Sequence, residues 1–155
     1  MNDIRYHENS VINDILEQWY KLRLSEQLNY HVEIGELVGK TLTDIVGAEE
    51  NNDVIVFFCS DGTRYMMYHE QDCCESVDIN DICGYVKSLI GTPITKAEDV
   101  SNAMVDAYPS GDDDYEGSHT WTFYHLATIK GYVTLRWFGS SNGYYSEEVS
   151  FVKLP

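Results

Sequence analysis

The densest cluster of reactive side chains in the chain is His69-Glu70-Gln71-Asp72-Cys73-Cys74-Glu75. A histidine with two thiols is a partial zinc set, complete only if Cys59 or Cys83 joins it. The expected strand register opposes this for Cys59: pairing it with Arg64 leaves five positions to His69, roughly 16 Å along a strand. Adjacent cysteines in an extended segment also point to opposite faces, and no Cys-x-x-Cys spacing occurs. The simpler expectation is one cysteine buried as a small hydrophobe and the other half exposed. A thiolate–imidazole pair for nucleophilic catalysis is disfavoured as well, because Glu70, Asp72 and Glu75 oppose a thiolate beside them. Neither a metal, a cofactor nor a catalytic residue is therefore expected. The alternative function is a small-ligand- or metal-binding protein, with His69, Asp72, Cys73, Cys74 and Glu75 lining the site.

A second acidic group, Asp112, Asp113, Asp114 and Glu116, could attract a hard cation. It lacks the spacing of a calcium loop, and such runs are usually solvated. There is no phosphate-binding glycine loop, no Gly-x-Ser-x-Gly elbow, no His-Glu-x-x-His and no dinucleotide fingerprint. Ser140-Ser141-Asn142-Gly143 reads as a turn, with Tyr144 and Tyr145 at its tip as contact residues.

The elements that carry these residues fit one domain. Tyrosine is abundant, at 12 residues, and proline scarce, at 3, which suits a β-rich chain. With 26 acidic and 10 basic residues the formal charge is −16. That argues against direct binding to nucleic acid or to an anionic membrane, and permits docking on a basic protein. The plain alternative is an acidic surface that serves solubility. No apolar run approaches a membrane span and no signal peptide opens the chain, so a cytoplasmic location with four reduced cysteines is expected.

Ile12, Ile15, Leu16, Trp19 and Leu22 recur at helical spacing, predicting a helix over residues 10–28 with Ser10 as its N-cap. Residues 1–33 form a helical extension whose apolar stripe packs on the domain, pairs with a second copy, or holds a partner. From residue 34 the pattern is strands: one ending near Ala48, then 54–59, 63–68, 76–79, 93–100, 120–129, 132–138 and 144–154. A short helical turn is expected over 81–88. Leu37-Val38-Gly39-Lys40-Thr41 returns as Leu89-Ile90-Gly91-Thr92, and each copy precedes a strand and a hairpin. The reading is a weak internal duplication of 36–80 and 88–155. The architecture expected is α+β and β-dominated: an antiparallel meander of about eight strands, forming a sandwich or partly open barrel, with one N-terminal helix.

Two-residue turns at Asp61-Gly62 and Lys130-Gly131 would pair Phe57 with Met66, Ile55 with Tyr68, Leu126 with Leu135 and Tyr124 with Trp137. All eight are expected in the core, each set on one sheet face. The opposite face of the second hairpin carries Trp121, Phe123, His125, Arg136 and Phe138. It is too aromatic for plain solvent, so either the helix or a partner should cover it.

From Glu36 onward the chain resembles a domain family of unknown function found in bacteriophage genomes and prophages. The resemblance rests on Leu37 to Leu42, Tyr68 to Glu75, Leu89 to Ile94, Trp121 to Tyr124, and Lys130 to Thr134 through Trp137 and Ser140 to Ser146. It implies a phage or prophage setting and supplies no activity or catalytic residue. Small acidic phage proteins without enzyme motifs are often inhibitors of host proteins. The expected function is therefore a non-enzymatic interaction protein that blocks a host anti-phage factor, sterically or as a nucleic-acid mimic. Its partner would be a basic, nucleic-acid-binding host protein, met through Trp121, Phe123, Tyr144, Tyr145, Asp112, Asp113 and Asp114. A homodimer through the helix is a further expectation.

Overall fold

A computed structural model describes residue 7 and residues 9–25, 29–107 and 116–155. Among these, one helix, α1 (Ser10–Ser25), precedes eight strands: β1 (Leu42–Val46), β2 (Val54–Cys59), β3 (Arg64–Tyr68), β4 (Ser76–Cys83), β5 (Lys96–Ala107), β6 (Glu116–Thr128), β7 (Gly131–Ser141) and β8 (Ser150–Leu154). They form two antiparallel four-stranded sheets, ordered β1-β2-β3-β8 and β4-β7-β6-β5. The sheets pack face to face and do not close into a barrel.

Each half of the chain builds a three-stranded meander and sends its fourth strand to the other sheet: β4 pairs with β7, and β8 with β3. The two Leu-x-Gly segments sit at the join. Each follows a single 3-10 turn, at Ile34–Leu37 and Val86–Leu89, and Leu37 and Leu89 are fully buried. Gly39 and Gly91 adopt φ of +88° and +92°, a region that favours glycine. Their bonds are reciprocal: Gly39 N–H donates to the Ile94 carbonyl (2.8 Å) and Gly91 N–H to the Leu42 carbonyl (2.9 Å).

The first sheet is covered on both faces, which explains the unbroken apolar run Val54–Cys59. Ile55, Phe57, Tyr65, Met67 and Phe151 face the second sheet and meet Tyr124, Leu126, Val133, Leu135 and Trp137. Val54, Val56, Met66, Tyr68, Val152 and Leu154 face α1 and receive Ile12, Ile15, Leu16 and Trp19. Asn9, rather than Ser10, caps the helix: its Oδ1 accepts the Val11 N–H at 2.9 Å.

All eight residues expected in the core are buried, but both hairpin registers differ from expectation. In the first, Phe57 pairs with Tyr65 and Ile55 with Met67. The loop is three residues, Ser60-Asp61-Gly62, closed by Cys59 N–H on the Thr63 carbonyl, with Gly62 at φ +86°. Asp61 Oδ1 accepts from Thr63 N–H and hydroxyl, which fixes the longer loop. That one-residue slip sends Met66 and Tyr68 to the helix side instead of the inter-sheet side. In the second hairpin the turn is Ile129-Lys130, and Leu126 pairs with Val133 and Tyr124 with Leu135. This shift of two keeps every residue on its expected face. Gly131 is needed for space: a Cβ there would meet the Ser88 side chain. The helical turn expected over 81–88 is also shorter, because β4 continues to Cys83 through a bulge between Ile79 and Asp81.

Candidate functional site

The run His69–Glu75 is the link that carries the chain from the first sheet to the second, between the end of β3 and the start of β4. The β7–β8 link, residues 142–149, carries it back. The two links are clasped together. His69 Nδ1 donates to the Glu148 carbonyl at 2.7 Å, and Nε2 lies 2.8 Å from Glu75 Oε1. The side chains of both are essentially sealed from solvent, at 4% exposed for His69 and 0% for Glu75. Each ring nitrogen thus faces an oxygen.

The Glu75 carboxylate also gathers the backbone of the cysteine pair. Asp72 N–H donates to Oε1 at 2.7 Å, and Cys73 and Cys74 N–H donate to Oε2 at 3.1 Å each. Burial pushes the Glu75 pKa up, but these amide donors and His69 outweigh it and hold it at about 2. Gln71 donates to the Glu75 carbonyl at 2.7 Å and closes the loop. The segment is thus a tight turn around a buried anion. Both cysteines are exposed and their sulfurs are joined to each other, where opposed faces, one buried thiol and four reduced cysteines were expected. Cys59 (buried) and Cys83 (exposed) are free.

The return link is pinned by a second buried carboxylate. Glu147 accepts from the Ser118 hydroxyl at 2.6 Å and the Thr120 hydroxyl at 2.8 Å. Burial again raises its pKa, and the hydroxyls of Ser118, Ser141 and Thr120 prevail to lower it. Gly139 makes the space, since a Cβ there would lie 2.8 Å from Glu147 Cβ. No local pattern announces Glu147 or Glu148; their partners are up to 79 positions away.

A groove of about 440 Å³ runs beside the clasp, lined by His31, Glu70, Asp72, Ser146 and Glu148 among others. His69, Asp72, Cys73, Cys74 and Glu75 are therefore brought together as expected in sequence, but His69 and Glu75 are consumed in holding the loop. Among the described residues no three His, Cys, Asp or Glu side chains are grouped to hold a metal ion.

The aromatic residues lie elsewhere. Trp121 and Phe123 share the outer face of the second sheet with His125, Tyr132, Arg136 and Phe138, all partly or well exposed. α1 covers the first sheet, so it does not cover this face. Trp121 packs on Phe138 with centroids 4.5 Å apart, and the Arg136 guanidinium lies 5.2 Å from the Trp121 ring. His125 stacks on Phe123 and Tyr132. Tyr144 is 84% exposed and packs edge-on against Tyr145 in the return link. Asp112, Asp113 and Asp114 lie outside the described residues. No described helix is long and apolar enough to cross a membrane.

Neither the search of curated proteins nor that of solved structures finds a match to this chain. A family match covers residues 35–151, from the first 3-10 turn into β8, and leaves α1 outside it. The chain belongs to the family described as a domain of unknown function, DUF7448.

Proposed function

We propose that this protein is a non-enzymatic, acidic interaction protein that docks through the outer face of its second sheet. The observation that carries the reading is the partly exposed aromatic ladder of Trp121, Phe123, His125, Tyr132 and Phe138, which α1 leaves uncovered. These rings are partly exposed, and cross-strand pairs such as Trp121–Phe138 stabilise a sheet by only about 0.2–1 kcal/mol each. Rigid aromatic rings with an arginine stacked on them are what the centre of a protein–protein contact uses. The net charge of −16 favours a basic partner and repels nucleic acid. In a phage or prophage setting that partner is a host nucleic-acid-binding protein, such as an anti-phage factor, blocked sterically or by mimicry.

The test is affinity capture from host lysate with wild type and with a Trp121→Ala/Phe123→Ala variant. Wild type captures a basic protein in a salt-sensitive manner. The variant stays folded, with a cooperative unfolding transition, and loses capture at least tenfold, as expected for a hot-spot pair. Equal capture by both proteins places the contact elsewhere, with Tyr144 and Tyr145 the next residues to replace. Capture of no partner by folded wild type removes the proposal.

A second reading, a small ligand in the groove beside His69 and Asp72, is favoured by the volume of that groove. Its carboxylates suit a cationic ligand and disfavour phosphates.

A further inference from the structure

We propose that Cys73 and Cys74 form a thiol-exchange site that accepts neutral and cationic low-molecular-weight thiols and discriminates against anionic ones. Three observations carry this. The two sulfurs are bonded to each other at an exposed turn, open to attack. The peptide frame beneath them does not depend on that bond: the N–H groups of Asp72, Cys73 and Cys74 are held by the Glu75 carboxylate, itself anchored by His69 and, through it, by Glu148. Opening the disulfide leaves the frame in place, so both redox forms fit one fold.

The rim sets the thiol class. Asp72, next to Cys73 in the chain, lines a groove together with Glu70 and Glu148. Of the nearby cationic and titratable groups, Arg23 is paired with Glu70 and His69 with Glu75, while His31 lies on the groove wall. With Glu70 paired to Arg23 and Glu75 to His69, Asp72 and Glu148 remain against His31 alone among the described residues of the groove, so an anionic thiol approaches against like charge.

The exchange runs in two balanced steps. A thiolate attacks one sulfur, forming a mixed disulfide, and the other sulfur leaves with the electron pair and takes a proton from water. A second thiolate then attacks the bound thiol, releasing the small disulfide and the second cysteine, which is also protonated. The protein disulfide is reduced and two small thiols are oxidised.

The full chain, oxidised with diamide and freed of reagent, is denatured and alkylated with and without prior reduction. Two cysteines, Cys59 and Cys83, should label without reduction and all four with it. The unreduced peptide holding Cys73 and Cys74 should be lighter than the dithiol form by two hydrogens. Native protein is then reduced with cysteamine, 2-mercaptoethanol and 2-mercaptoethanesulfonate at equal thiolate concentration. For each thiol the ratio of its low-salt rate to its rate near 0.5 M salt cancels intrinsic nucleophilicity, and these ratios should fall in that order over about a tenfold span. Four labelled cysteines without reduction, or cross-linking through Cys83, overturns the site. Equal salt ratios for the three thiols overturn the charge selectivity. Because the mapping uses the unmutated chain, the result does not depend on a cysteine variant folding.

Discussion

Replacing Glu75 by alanine lowers stability by about 3–5 kcal/mol in denaturant unfolding, since it removes one member of a buried pair and strands the other. The loss is large because Glu75 has four partners: His69 Nε2 and the N–H groups of Asp72, Cys73 and Cys74. Glu75→Gln keeps the shape but aims an amide NH₂ at a cluster of donors, and it should cost about 2–3 kcal/mol. Acid unfolding should report the same group. Its folded-state pKa of about 2 lies below the ordinary 4.5, so the unfolded chain binds the proton more tightly. The stabilisation is full above about pH 4.5 and is lost as the pH falls through about 2. Glu147, lowered in the same direction, adds to this limb. In Glu75→Ala the loss of stability between these pH values should be visibly shallower. An unchanged acid limb, or a cost under 1 kcal/mol, would show that the carboxylate does not hold the crossover link.

Trp137→Ala should cost about 3–5 kcal/mol, by loss of buried area and by the cavity left behind. Trp137 is fully buried in the inter-sheet core, where sheet-on-sheet packing leaves little room to collapse. Its indole N–H finds no acceptor among the described residues. Trp137→Phe keeps most of the ring and removes that unpaired donor, so it should cost under about 2 kcal/mol. Comparable losses for the two variants would mean that the N–H is satisfied by something other than the protein. Neither substitution touches the outer face, and capture of a partner by folded Trp137→Phe should match wild type.

Much of the fold is legible in the residues because strand patterns and turn chemistry are local. The unbroken run Val54–Cys59 marks a strand buried on both sides, and the alternation around Leu126 and Leu135 marks one buried on a single side. The repeated Leu-x-Gly segments mark two similar halves, and the positive φ at Gly39 and Gly91 gives the physical reason for those glycines. Register was less legible. Asp-Gly is compatible with a two-residue turn and with the end of a three-residue loop, and only the Thr63 donors to Asp61 distinguish them. Gly131 looks like a turn glycine and is instead a packing glycine under Ser88.

The candidate site divides the same way. The sequence alone determined that His69, Asp72, Cys73, Cys74 and Glu75 lie together, that they lack the spacing of a metal centre, and that an aromatic row occupies one face of the second hairpin. Those are consequences of chain proximity and of the two-residue strand period. Only the tertiary structure decided that α1 covers the first sheet and not the aromatic row, that Glu75 is a buried anion wrapped by the cysteine loop, that the Glu148 carbonyl ties the return link to His69, and that Glu147 pins that link to β6. The contacts of α1, Glu147 and Glu148 join segments tens of residues apart and depend on two sheets exchanging their last strands; the Glu75 turn is local in the chain, but nothing in its residue types announces that its carboxylate is buried.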